Sequence, residues 1–151
     1  VARSCEAGGV AVMLHSYAPR SVDVPVDDRI VERLRAAYEP DVVGTWPLRS
    51  EIDFISAAPD GTPLAHRALL EAARGEFEAD GLGTAENAAY ALHPSTLAAR
   101  LAARFPGRTL CLEMRRDLLA REFTPFAEME IAPEKADRLA GCLARAVAAI
   151  W

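Results

Sequence analysis

Two side chains stand where the chain could do chemistry. His15 follows the apolar run Val10 to Leu14, which two glycines precede and no charge interrupts. Glu113 lies near the end of a second such run, Thr109 to Met114 (TLCLEM). Polar and basic residues follow each at once: Ser16, Tyr17 and Arg20 after the first, Arg115 and Arg116 after the second. Both runs read as buried strands, and in open α/β sheets ligands sit beyond the carboxyl ends of strands. An imidazole at such a tip can hold a metal or move a proton. A carboxylate there is costly unless it is paired or lies near a metal. A His ligand with a Glu general base is the minimum pattern of a metal-dependent hydrolase, in which the metal acidifies bound water and the carboxylate takes its proton. The same residues leave a plainer alternative, with the His15 ring satisfied by backbone groups and Glu113 paired with Arg20, Arg115 or Arg116.

Positioning these groups falls to the surrounding elements. Val10 to Leu14 is expected to be buried on both faces, in the middle of a sheet. In TLCLEM the period of two sends Leu110 and Leu112 to one face and Cys111 and Glu113 to the other. Ile30, Val31, Leu34 and Ala37 form a helical stripe that Asp27 or Asp28 can cap and Glu39-Pro40 stops. Val42 to Trp46 reads as a short strand, Pro47 to Asp53 as a loop or edge, and Phe54-Ile55 as a brief pairing. Thr62-Pro63 is a helix start, and that helix runs to about Ala79. Thr84 to His93 is too polar at its start for a core strand and reads as a loop. Helices are expected from Pro94 to about Phe105 and from Pro133 to the end of the chain. The whole predicts a single α/β domain over residues 1–151, with a central mixed, largely parallel sheet and helices on both faces.

Composition narrows the function classes. The net charge of −5 and the single lysine, Lys135, argue against a nucleic-acid partner. No apolar run approaches the ~20 residues needed to span a bilayer. Cys5, Cys111 and Cys142 are far apart and form no CxxC, so they suggest free thiols in a reducing compartment rather than a zinc knuckle. The first residues lack the apolar run of a signal peptide, and a cytoplasmic location is expected.

Four blocks taken together, HSYAPR, GTWPLR, AENAAYALHPST and LCLEMRRDLL, resemble the N-formylglutamate amidohydrolase family. They occur in the family's order, and the chain resembles only the C-terminal portion of a family member, whose fold is that of the zinc carboxypeptidases. The resemblance implies a small N-acyl amino acid as substrate and zinc as cofactor. His15 matches a metal ligand, and Glu113 matches the carboxylate that activates water and passes the proton to the leaving amine. Arg116, Arg115 and Arg20 match candidates for gripping a substrate carboxylate. Asn87 and Tyr90 match a polar block beside the substrate pocket, where the residues alone also allow a loop-capping amide and a packed ring.

One departure weighs against these matches. Catalytic zinc takes three protein ligands and a water, and the family supplies two of them upstream. Here Leu69 and Thr96 stand three residues after His66 and His93, so neither starts an HxxE pair. The zinc site is therefore incomplete in this chain, which is expected to show little or no amidase activity alone. A sheet without its first strands would also be incomplete and tend to self-associate. A non-catalytic binding or assembly module that has lost the metal site is the rival reading.

Overall fold

The structure, a computed structural model, describes residues 2–151. Four strands make one sheet: β1 (Ala11–Tyr17), β2 (Ile52–Ile55), β3 (Thr84–Glu86) and β4 (Thr109–Arg115). Their order is β1-β4-β2-β3. β1 runs parallel to β4 and β3 parallel to β2, while β2 and β4 are antiparallel. The sheet is thus mixed, largely parallel and open at both edges.

The described residues form six α-helices. They are α1 (Ala2–Glu6), α2 (Ile30–Ala37), α3 (Pro40–Val43), α4 (Arg67–Ala79), α5 (Leu97–Arg104) and α6 (Pro133–Ala148). One sheet face carries Ile52, Phe54, Leu110, Leu112 and Met114, and packs on Leu69, Leu70 and Phe77 of α4 and Leu139 and Cys142 of α6. On the other face Ile55 and Cys111 pack on Ala98 and Ala99 of α5. The odd-numbered residues of β4 therefore face α5 and the even-numbered ones face α4 and α6, as period two requires. None of these helices is long and apolar enough to cross a membrane.

The structure corrects several expectations. β1 is an edge strand, not a middle one: Val12 is 37% and Leu14 51% exposed. The central positions go to β4 and β2, and all four residues of β2 are buried. An apolar run alone does not separate an edge from a centre. Residues 42–46 form no strand, because Pro40 takes the first position of α3 after an extended Glu39. The helix expected from Thr62 starts at Arg67. Its preceding residues are held extended by bridges between Ala57 and Pro63 and between Ala65 and Thr109. His66 caps it instead, Nδ1 accepting the Leu69 N–H at 3.1 Å. Thr84–Glu86, expected as loop, is β3. It is polar because Glu86 accepts from Ser56, Arg67 and Arg74 at the sheet edge.

Candidate functional site

The strand registers bring the two singled-out residues side by side. His15 is the register partner of Glu113 across β1 and β4, and Asp53 is the partner of Glu113 across β2 and β4. Partners in register share a face and neighbouring strands lie about 4.8 Å apart. An imidazole and two carboxylates therefore form one row on the α5 side of the sheet. His15 is exposed at the edge, while Glu113 and Asp53 are buried. The next row inward is Met13 and Cys111, and the next row outward is Tyr17 and Arg115.

Glu113 is poised rather than spent. The Tyr90 hydroxyl donates a short hydrogen bond to its Oε1, while its Oε2 is buried with no hydrogen-bond partner. Burial and this carboxylate push the Tyr90 phenol above its ordinary range, so it keeps the proton it donates. A loop locked from both sides presents Tyr90. Asp53 accepts the Ala88 N–H at 3.1 Å and the Ala89 N–H at 2.6 Å. Asn87 has a left-handed φ of 55°; its Oδ1 accepts from the N–H of Ser56 at 2.8 Å and of Ala57 at 3.2 Å, and its Nδ2 donates to Ser56 Oγ at 2.9 Å. The side chain of Asn87 is thus occupied in shaping the loop. Asn87→Ala should cost about 2–3 kcal/mol, two backbone donors losing their acceptor, read as a lowered denaturation midpoint.

Two cavities adjoin the row. One of about 150 Å³ is lined by His15, Tyr90 and the apolar side chains of Met13, Leu92, Leu97 and Cys111. Burial, aided by Glu113, pushes the Cys111 thiol up to about 12, so it remains a thiol and not a nucleophile. The other cavity, of about 230 Å³, is lined by Tyr17, Arg49, Ser50 and Asp53 and by Ala88 and Ala89. Tyr17 donates to the Ser50 carbonyl at 2.5 Å, and burial pushes its phenol up to about 12.

The arginines matched by resemblance divide differently. Arg115 is tied by two hydrogen bonds to Asp117 (2.8 and 3.0 Å), with Glu51 and the Arg49 carbonyl also in reach. Arg20 donates to the Trp46 carbonyl at 2.8 Å. Arg116 donates weakly to the Ser16 carbonyl at 3.4 Å and lines a separate cavity with Tyr38, Phe123 and Phe126. None of the three lines either cavity beside the Glu113 row. Sequence reading missed Asp53, Tyr17 and Arg49. The signal for Asp53 was its place inside IDFI: one acid among three large apolar residues belongs on a buried strand with dedicated partners.

No protein-family model matches the sequence, and no curated protein matches it. A solved structure does: the crystal structure of N-formylglutamate amidohydrolase from Ralstonia eutropha JMP134, with a TM-score of 0.52 at 19% identity. The chain has the fold of part of that hydrolase. The match covers 94% of this chain and 42% of the other, so the chain spans less than half that enzyme's length.

A complete zinc site does not fit the residues present. Among the described residues no three His, Cys, Asp or Glu side chains are grouped to hold a metal. Both oxygens of Asp53 are already held by backbone N–H groups of the Ala88-Ala89 loop, and no third residue groups with His15 and Glu113 to make the three ligands a catalytic zinc takes.

Proposed function

We propose that this chain carries the proton-transfer part of an amidohydrolase site acting on N-acylated amino acids of the N-formylglutamate type. The observation that carries this reading is the buried, unpartnered Oε2 of Glu113, in a row whose other members, His15 and Asp53, each line a cavity. A free carboxylate oxygen can take a proton from water as that water attacks the acyl carbonyl. The C–N bond then breaks, the proton passes to the leaving amine, and a carboxylate and a free amino acid result. Tyr90 holds the other oxygen and so fixes the direction of the first. The likeness of fold to a hydrolase supports the class of reaction, and no step is routed through a metal.

Zinc dependence is part of this reading only with ligands beyond those described. Zinc added to this chain should bind with micromolar or weaker affinity, since at most two groups can hold it. His15→Ala should abolish that binding in a calorimetric titration. Tight stoichiometric zinc would overturn this account of the site.

The shortage of ligands favours a second reading, a binding module that keeps the pocket without the reaction. One titration with N-formyl-L-glutamate separates the two. Perturbed NMR signals of Tyr90 and Leu92, with release of glutamate that disappears in Glu113→Gln, support the hydrolase. The same perturbation without release supports the binding module. No perturbation on this face overturns both.

A further inference from the structure

The Arg49 guanidinium makes no direct ion pair among the described residues, although it lines a cavity beside the Glu113 row. Its backbone is fixed by a hydrogen bond from its N–H to the Pro19 carbonyl, and its own carbonyl accepts from Arg115. The guanidinium carbon lies 5.0 Å from the centroid of the Tyr17 ring, which holds the plane in one place. Its Nε is buried and has no partner. Among the described residues it makes no ion pair, unlike Arg115 beside it. The acid that shares its cavity, Asp53, already accepts from two backbone N–H groups.

A guanidinium stacked on Tyr17, with no direct ion pair and a buried Nε without a partner, on the wall of a cavity of about 230 Å³, is a site for a planar anion. The register of β1 places this site relative to the Glu113 row. Tyr17, under Arg49, stands two residues further along β1 than His15, which is about 7 Å at the rise of a strand. A ligand lying along β1 with its amide at the Glu113 row would thus present its charged group one row further out, on the side of Tyr17 and Arg49. On the opposite side of the same row lies the mainly apolar cavity of Met13, Leu92 and Leu97, which His15 and Tyr90 also line but no arginine or lysine does. A ligand lying along the strands has its apolar end there and its charged end at Arg49.

We propose that Arg49, rather than Arg20, Arg115 or Arg116, anchors the carboxylate of the ligand, so that the site selects anionic N-acyl amino acids over their neutral amides. This rests on the hydrolase reading for the placing of the amide, but the anion site itself stands on Arg49 and its cavity.

The experiment compares N-acetyl-L-alanine with N-acetyl-L-alaninamide, which lacks only the charge, by NMR titration of this chain. Wild type should bind the acid at least about tenfold more tightly, the worth of one charge-assisted pair. Arg49→Gln should remove that preference and leave binding of the amide unchanged. Arg49→Lys should keep part of it, and Arg116→Gln all of it. A preference that survives Arg49→Gln, or that disappears with Arg116→Gln instead, overturns the proposal. Circular dichroism melts check that each variant folds. Glutarate, which carries no amide, separates this proposal from the reading it rests on. If neither acetylated ligand reaches the Glu113 face, yet glutarate shifts the Tyr17 and Ser50 signals in wild type and not in Arg49→Gln, the anion site holds and the hydrolase reading falls. If glutarate shifts nothing there, Arg49 anchors no carboxylate.

Discussion

Glu113→Gln should make the protein more stable while removing its chemistry. The gain comes from the free oxygen. A buried carboxylate with one oxygen unpartnered and a second carboxylate in the adjacent register position is held at a cost. The amide keeps the shape and can still accept the Tyr90 hydroxyl, and its buried unpartnered N–H groups cost less than the buried charge they replace. A gain of about 1–2 kcal/mol is expected, which for a chain of this length raises Tm by roughly 2–8 °C. Any release of amino acid from an N-acyl substrate should fall about 10²- to 10⁴-fold, the usual worth of a positioned general base. The pairing of the two results is the informative part. A carboxylate retained for structure would lose stability on neutralisation, whereas one retained for reaction gains it. Thermal unfolding of the two proteins at neutral pH decides between them, and a lower Tm for the variant would count against a catalytic Glu113.

The sequence was most readable where pattern and burial coincide. TLCLEM alternates strictly around a fully buried strand, and its two faces could be assigned residue by residue; β4 has them as assigned. Pro133 marked the start of α6, which ends at Ala148, short of the end expected. The position of a strand in the sheet was not readable, because β1 is as apolar as a central strand while its Leu14 stands half exposed. β2 was hidden by Asp53, whose charge made a four-residue core strand look like the end of a loop. Only the tertiary structure supplies the Ala88 and Ala89 N–H groups that make such a residue tolerable there. In α5 the buried face is made of alanines. Ala98, Ala99 and Ala102 face the sheet, and Leu97 is left at the mouth of the small cavity. Close packing of a helix on this face calls for small side chains, which hydrophobicity alone does not favour.

The adjacency of His15 and Glu113 is not legible in the two runs, each of which shows only a strand tip. Parallel pairing in register makes the two residues neighbours. The arginines show the reverse. Those chosen by resemblance have guanidinium donors on nearby acids or carbonyls. The one over the cavity, Arg49, lies in a loop without periodicity, where no sequence pattern fixes a direction.

Asp53→Ala should be among the most damaging single changes in this chain. It strips the acceptor from two backbone N–H groups at once and leaves a void on a fully buried strand position. A loss of about 3 kcal/mol is expected from the two hydrogen bonds together. The loop from Asn87 to Tyr90 would lose one of its two anchors, so Tyr90 should also leave Glu113, seen as a changed Tyr90 signal. Asp53→Asn keeps one acceptor and should cost less. Acidity gives a separate check. Burial raises the Asp53 carboxyl above its ordinary value of 3.8, against the pull of Ala89, Ala88 and Arg49. Below 3.8 both folded and unfolded chains hold the proton, and Asp53 imposes no charge cost. As the pH rises through the window above 3.8, the unfolded chain releases its proton first, so the contribution of Asp53 to stability falls until the folded carboxyl has ionised too. Wild type should therefore lose stability relative to Asp53→Asn as the pH climbs through that window. Denaturant titrations of both proteins at several pH values read this directly. A difference that grows in favour of wild type would mean that the two N–H groups outweigh burial.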